Sequence, residues 1–317
     1  MRFIAARLAQ LVVVLLVVSG VAFLLLNQLP GNPVITLLGP AATPEAVAQL
    51  TRQLGLDRPA WLRYFIWLGN ALRGDLGSSY VNHQTVLLSI EQRLPVTLEL
   101  LALSQVIALA LAVPLGIIAA MRPGRGIDRI ACSGAFFLLS VPGFILAELL
   151  VYLFAVRYNL FPATGYVHLT EDPLQNLRSL TLPSITLGLG SMAVYMRVLR
   201  TDMIATLRQD FITMARSKGL PTWWILLRHA LRPSTFTLVT VGGLNVGTLI
   251  GGAFIVEYIF QVPGLGLLTI NSIYARDYLV VTSTTVLVAA GFVIVNLLVD
   301  LLYTFLDPRV RSARFAG

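Results

Sequence analysis

Six stretches of this chain are long and apolar enough to cross a bilayer, and that limits its fold more than any other feature. They run over about 8–29, 94–120, 130–156, 181–199, 236–260 and 282–306. A helix needs about 20 residues to cross the hydrocarbon core, where a barrel strand needs about 9–11. Without water in that core every backbone amide must be satisfied internally, so runs of this length read as helices. With 56% hydrophobic residues, 12% charged and a mean hydropathy of +0.80, a soluble globule is excluded. The expected fold is an all-α polytopic membrane protein of six transmembrane helices. An extracytoplasmic insertion is expected between the first two, and a short cytoplasmic helix between the fourth and fifth.

Charge sets the expected topology. Of 23 basic residues, 22 are arginine, and 15 fall in the segments that alternation places inside. Outside lie 8, of which 5 belong to one long insertion, where charge bears little on orientation. Both termini are therefore expected in the cytoplasm. The net charge of +8 reports topology and not nucleic-acid binding. The first run is preceded by Arg2 and Arg7 and ends in Asn27-Gln28-Leu29-Pro30. It is longer than the ~7–15-residue core of a signal peptide, so it reads as a retained anchor. The expected divisions are 1–29 (tail and first span), 30–93 (insertion), 94–306 (core with a coupling loop at 200–235) and 307–317 (cytoplasmic tail).

Within the insertion, Thr43-Pro44-Glu45 signals a helix start and Gly55 a stop. A second helix is expected from Pro59 to Arg73, closed by Gly74, with Trp61, Phe65, Leu68 and Leu72 on one face. That face suits either a membrane surface or the other spans. Pro114 is tolerable within its span, and Ser140-Val141-Pro142-Gly143 predicts a kink in the third.

No catalytic constellation emerges. Cys132 stands alone, and His83, His168 and His229 lack ligand spacing. A phosphate loop needs Gly-Lys-Ser/Thr, whereas the one lysine, Lys218, follows Ser217. HExxH and GxSxG patterns are also missing. Ionisable groups within spans are costly and must face protein or water. Glu99 and Glu148, near span ends, are expected to bond between helices. Asn245, Glu257 and Asp300 read equally as pathway or gate residues and as interhelical hydrogen-bonding groups. Gly243, Gly247 and Gly251 recur every four residues, a seam that admits a close helix neighbour.

The polar interruption at 210–232, DFITMARSKGLPTWWILLRHALR, is the most specific stretch. Asp210 can cap a helix and Gly219 can end it in the left-handed conformation. Phe211, Met214, Ala215 and Lys218 share a face. Pro221 suits the first turn of a second, longer helix carrying Trp223, Trp224, Arg228, His229 and Arg232. A helix of two turns is marginal alone in water and makes sense if something grips it.

Ala215, Arg216, Lys218, Gly219 and Leu220, followed by Arg228-His229-Ala230-Leu231-Arg232, resemble the cytoplasmic coupling loop of ABC importer permeases of the dipeptide/oligopeptide/nickel family. Pro233 and Thr237 depart from it, standing where asparagine and proline are expected. The strings PGNPV (30–34), LLGP (37–40), ATPEAV (42–47), LGLDRP (54–59) and GDLGSSY (74–80) extend the resemblance, as do Phe161-Pro162, Gly165-Tyr166 and Phe260 with Pro263-Gly264-Leu265-Gly266. The resemblance implies a non-catalytic permease subunit in the bacterial inner membrane, forming half a pore for dipeptides or oligopeptides. Its implied partners are a homologous second permease, two cytoplasmic ATPase subunits, an extracytoplasmic substrate-binding protein and membrane lipid, with no nucleic acid. ATP and Mg would be held by the ATPases and no cofactor by this chain. ATPase coupling would fall to Asp210, Phe211, Met214, Ala215, Arg216, Lys218 and Gly219. Nickel, haem and glutathione are alternative cargoes. An ion-coupled secondary transporter is the competing class, weakened by scattered acids and no sign of inverted repeats.

Overall fold

The computed structural model describes residues 2–28 and 33–306, with side chains for 9–28, 33–40, 42–299 and 301. The tail at 307–317, the Pro30–Asn32 part of the insertion motif and the side chains of Arg2, Arg7 and Asp300 lie outside the described residues. Thirteen α-helices follow in order among them: α1 Arg2–Gln28, α2 Pro33–Leu38, α3 Pro44–Gln53, α4 Ala60–Ala71, α5 Val86–Met121, α6 Gly126–Ser140, α7 Gly143–Leu150, α8 Pro173–Leu207, α9 Asp210–Ser217, α10 Thr222–Trp224, α11 Leu231–Phe260, α12 Leu265–Tyr274 and α13 Tyr278–Leu306. Wider π turns extend α7 over Val151–Arg157 and join α10 to α11 over Ile225–Ala230. Five helices are long and apolar enough to span a membrane, and α6 with α7 forms a sixth if the bent pair is one span. The protein is an all-α polytopic membrane protein.

Two compact units divide the chain. The first comprises Met1–Thr97 with Pro263–Val293. Val86 and Ile90 of α5 meet Leu265 of α12 and Val280 of α13 in its core. Thr97 Oγ1 accepts the Leu265 amide at 2.9 Å, and the Thr269 and Thr284 hydroxyls bond at 2.9 Å. The sequence did not disclose α12, because its start lies inside the Pro263–Gly266 turn. Thr43 caps α3 by accepting the Ala46 amide, and Gly55 follows the end of that helix at φ +64°. The apolar face expected of α4 is divided: Leu68 and Leu72 border a slot against α1, whereas Trp61 and Phe65 do not line it. Tyr64 and Trp67 pack toward α1, with Tyr64 bonded to Ser19 at 2.9 Å, while Trp61, Phe65 and Leu72 are exposed. Asp277, almost fully buried between α12 and α13, accepts from Ser79 Oγ and the Tyr80 amide and so holds the 77–86 loop.

The second unit comprises Leu98–Val262 with Ile294–Gly317. Its centre is α8: 67% of its most apolar stretch is buried, against 11–33% in the other long helices. Tyr195, Met196, Leu199 and Met203 of α8 meet Ala108 and Ala112 of α5, Ala135 of α6, and Leu238 of α11. Small residues let the helices approach, which is what membrane packing needs when lipid is as apolar as leucine. A Cβ on Gly188 would sit 2.8 Å from the Ser104 carbonyl oxygen, and one on Gly116 3.1 Å from Leu199. The kink expected at 140–143 is a 104° bend between α6 and α7, a reversal more than a kink. Val141 is extended and Pro142 cannot donate, so two residues interrupt the helical ladder.

Gly188→Ala is expected to lower the melting temperature in detergent by the equivalent of ~1–3 kcal/mol, since backbone cannot yield as a side chain does. Gly190→Ala, where nothing lies within 4 Å, should leave it unchanged or higher. In the first unit, burial raises the Asp277 carboxyl above the usual carboxylate range. Its ionisation therefore costs the folded state more than the unfolded one. Stability from this group is full below the ordinary carboxylate value and falls as pH rises through the raised one. Asp277→Asn retains an acceptor for Ser79 and Tyr80, so its melting temperature should fall less than the parent's between about pH 4 and 7.

Candidate functional site

The α9–α10 turn is built from both ends. Gln209, extended at φ −77° and ψ 151°, holds the capping position, so Asp210 is not the cap. Asp210 instead begins the first turn, where its charge favours the positive end of the helix dipole. At the other end Gly219 has φ +74°. Its amide bonds to the Arg216 carbonyl at 2.9 Å, and the Leu220 amide to that of Ala215 at 3.3 Å. This is the paired bonding of a Schellman motif, which satisfies carbonyls a two-turn helix would leave open.

The helix divides into two apolar faces. Ile212 and Ala215 are buried against Ile225, Leu207 and Leu220. Phe211 is 47% exposed and Met214 61%, with Arg216 and Lys218 also exposed. Of the face expected from spacing, then, Ala215 points inward and Phe211, Met214 and Lys218 outward. Ile212 and Ile225, which hold the helix down, were missed. A signal for Ile212 was present, since Ile212 and Ala215 are three apart, and Leu220, the hydrophobe after the closing glycine, folds back on the last turn as such residues commonly do.

Pro221 sits one residue before the next helix, at its capping position and not in its first turn. Trp223 and Trp224 meet edge to face at 5.3 Å, and the Arg228 guanidinium lies 5.1 Å over Trp224. The chain then runs as one helical rod from Thr222 to Phe260. The π turn ends just before Pro233, which has no amide to give the ladder; wide turns of this kind absorb such a loss. Leu226 and Ala230 are buried in the α8 cluster, so the rod is seated beside the bundle core.

An ion pair the sequence did not reveal ties α6 to α8. Arg200 donates from Nε and, at 2.7 Å, from Nη2 to the two oxygens of Asp128, which is 4% exposed. Asp128 also accepts the Gly124 amide at 2.6 Å. Arg197 stacks 4.3 Å over Phe136 on the same two helices.

Of the proposed pathway residues, Asn245 and Glu257 lie apart along α11. Asn245 accepts from Ser191 at 2.7 Å and from Tyr195 at 3.1 Å, and Tyr195 also meets Gln105 at 2.7 Å. Glu257 is fully buried, but lies twelve residues further along α11, about 18 Å by helical rise. The side chain of Asp300 lies outside the described residues. Glu99 accepts from Tyr166 at 2.8 Å, a helix-to-loop bond, and Glu148 is exposed. Among the seam glycines, a Cβ on Gly243 would strike Val299 of α13, Gly247 is buried, and Gly251 has nothing within 4 Å.

The model of the family described as "Binding-protein-dependent transport system inner membrane component" matches residues 112–312, and that of its N-terminal component matches residues 1–101. The chain belongs to this family of ABC importer permeases. The permease is 41% identical to a putative peptide transport system permease protein of Brucella abortus, over 97% of this chain and 98% of that one. It is 34% identical to a probable peptide ABC transporter permease protein of Sinorhizobium fredii, over 98% and 99%. Identity to the glutathione transport system permease protein of Escherichia coli is 36%, over 98% and 99%. Membership makes it a multi-pass subunit of an inner-membrane importer that works with ATPase and substrate-binding partners.

Removing one half of the Asp128–Arg200 pair should cost ~3 kcal/mol or more where it strands the buried charge. Arg200→Met leaves the Asp128 carboxylate buried. Asp128→Asn leaves Arg200, which is 23% exposed and can reach water. Arg200→Met is thus expected to lower the melting temperature more than Asp128→Asn, and the double variant to recover part of the loss. Equal losses would deny this pair its role.

Proposed function

We propose that the permease forms half of a peptide-conducting pore and is driven through α9 by ATPase subunits on the cytoplasmic side. The reading rests on one observation: the two-turn helix is pinned by Ile212 and Ala215 and presents Phe211 and Met214 outward. An exposed aromatic and a flexible methionine beside two cations suit a groove on a partner. On this reading both termini are cytoplasmic, and two ATPases bind ATP and Mg and grip the α9 helices of this chain and a homologous second permease. A binding protein delivers solute from the other side, and this chain itself holds no cofactor. Asn245, Glu257 and Asp300 remain candidates for the pathway.

A docking helix must transmit work. Moving a two-state pore from 1:99 to 99:1 takes ~5.5 kcal/mol of differential binding. Ordering a floppy loop on contact would consume ~1–2 kcal/mol for each backbone residue fixed. The capped turn and the continuous rod into α11 are already ordered, which supports a rigid linkage. Peptide as cargo is supported by the printed names of the relatives, and glutathione, itself a short peptide, falls in the same chemical class.

Phe211→Asp with Met214→Asp is expected to weaken attachment of the ATPases by over tenfold, ~2 kcal/mol or more, with folding and insertion unchanged. Gly219→Val should abolish transport, since a β-branched residue at φ +74° costs ~1–2 kcal/mol. Gly219→Asn, which tolerates that conformation, should retain it. Co-purification with the ATPases and peptide uptake in proteoliposomes measure both. Normal uptake by the Phe211/Met214 variant would remove α9 from the coupling path.

A further inference from the structure

Two adjoining cavities in the first unit differ in chemistry and share one wall. The first, about 190 Å³, is bordered by Arg58, Arg63, Asn70, Asp75, Tyr80 and Trp67. The second, about 290 Å³, is a slot among α1, α4 and α13, lined by Val12, Leu16, Ser19, Trp67, Leu72 and Val286 among others, nearly all apolar. Trp67 separates them. Apolar cavities stay dry and take apolar ligands; roughly 150 Å³ is enough for benzene.

The order of the two along the membrane is what identifies an occupant. Arg63 donates to Asn27 at 2.9 Å, at the C-terminal end of α1. The apolar slot begins at Ser19 and reaches Val12, so it runs along the span toward the bilayer interior. A cavity of mixed lining, bordered by two arginines and Asp75 as well as by Phe23, Leu54 and Ile66, therefore lies toward the membrane surface, with a dry slot beneath it. At the junction the buried Trp67 indole N–H has no acceptor among the described residues. A buried indole N–H usually finds a partner. Elsewhere on α4, Trp61 and Phe65 are each 61% exposed, and on α1 Val13 and Val17 are exposed as well.

We propose that this is a phospholipid site. One acyl chain fills the slot between α1, α4 and α13, the phosphate lies by Arg58 and Arg63, and Trp67 donates to an ester carbonyl between them. The α4 segment is thereby held in the bilayer alongside α1 and does not project as a free extracytoplasmic element. This site is independent of which solute the permease carries.

The test uses the full-length protein reconstituted with phosphatidylglycerol bearing a mid-chain diazirine, with photo-adducts mapped by mass spectrometry. Adducts should concentrate on residues 12–19 and 67–72. Ala71→Phe, which narrows the slot, should reduce those adducts by roughly tenfold while adducts on exposed Val239 and Leu244 of α11 persist as an internal reference. Arg58→Gln should reduce capture further for phosphatidylglycerol than for phosphatidylcholine. Even labelling of α1, α4 and α11 in the unaltered protein would mean annular lipid only and would overturn the proposal. So would adducts insensitive to Ala71→Phe, or cross-links from α4 to a second permease chain in place of lipid.

Discussion

The second unit depends on how closely α8 can approach its neighbours. In a bilayer the spans gain nothing by hiding apolar surface from one another, because the lipid is equally apolar. What remains is contact at short range. Gly188 brings α8 against the Ser104 carbonyl, and alanines at 108 and 112 let α5 lie along it. Most of the large buried side chains of the cluster, Tyr195, Met196, Leu199 and Met203 among them, belong to α8, with Leu226 and Leu238 closing it from the α11 rod. One helix supplies much of the volume, and the alanines of its neighbours supply room.

That arrangement explains why the α9 turn can be small and still be firm. Its anchor is two side chains deep, Ile212 and Ala215, and its far side is Ile225, at the start of a rod seated on the α8 cluster through Leu226 and Ala230. The turn is closed by the Gly219 and Leu220 amides. On the proposed reading, a displacement of α9 would pass through the Ile212–Ile225 contact to α11. Asp128 and Arg200 add a second tie to the same end of α8, so α6 is held there too.

Much of this was legible in the residues. Apolar length gave the spans, and the glycine stop gave the α9 turn, because each is a local requirement. The faces were not legible. In α4, Trp61 and Phe65 are as apolar as Tyr64 and Trp67, yet they are exposed while the latter two face α1. Where lipid and protein have the same polarity, periodicity says which side is apolar and not what covers it. The Asp128–Arg200 pair was hidden for a different reason: its two residues come together from distant parts of the chain.

The polar cluster of Gln105, Ser191, Tyr195 and Asn245 shows how such hidden contacts act. Interhelical hydrogen bonds in membranes average only about 0.6 kcal/mol, because an unfolded segment in lipid also finds partners. Stability is thus a weak reason for placing four polar side chains on α5, α8 and α11. Geometry is a stronger one. Alanine-lined helices can slide and rotate at little cost, since one methyl ridge resembles the next. Tyr195, bonded to both Gln105 and Asn245 at the centre of the bundle, permits one register between the helix that enters the α9 turn and the helix that leaves it.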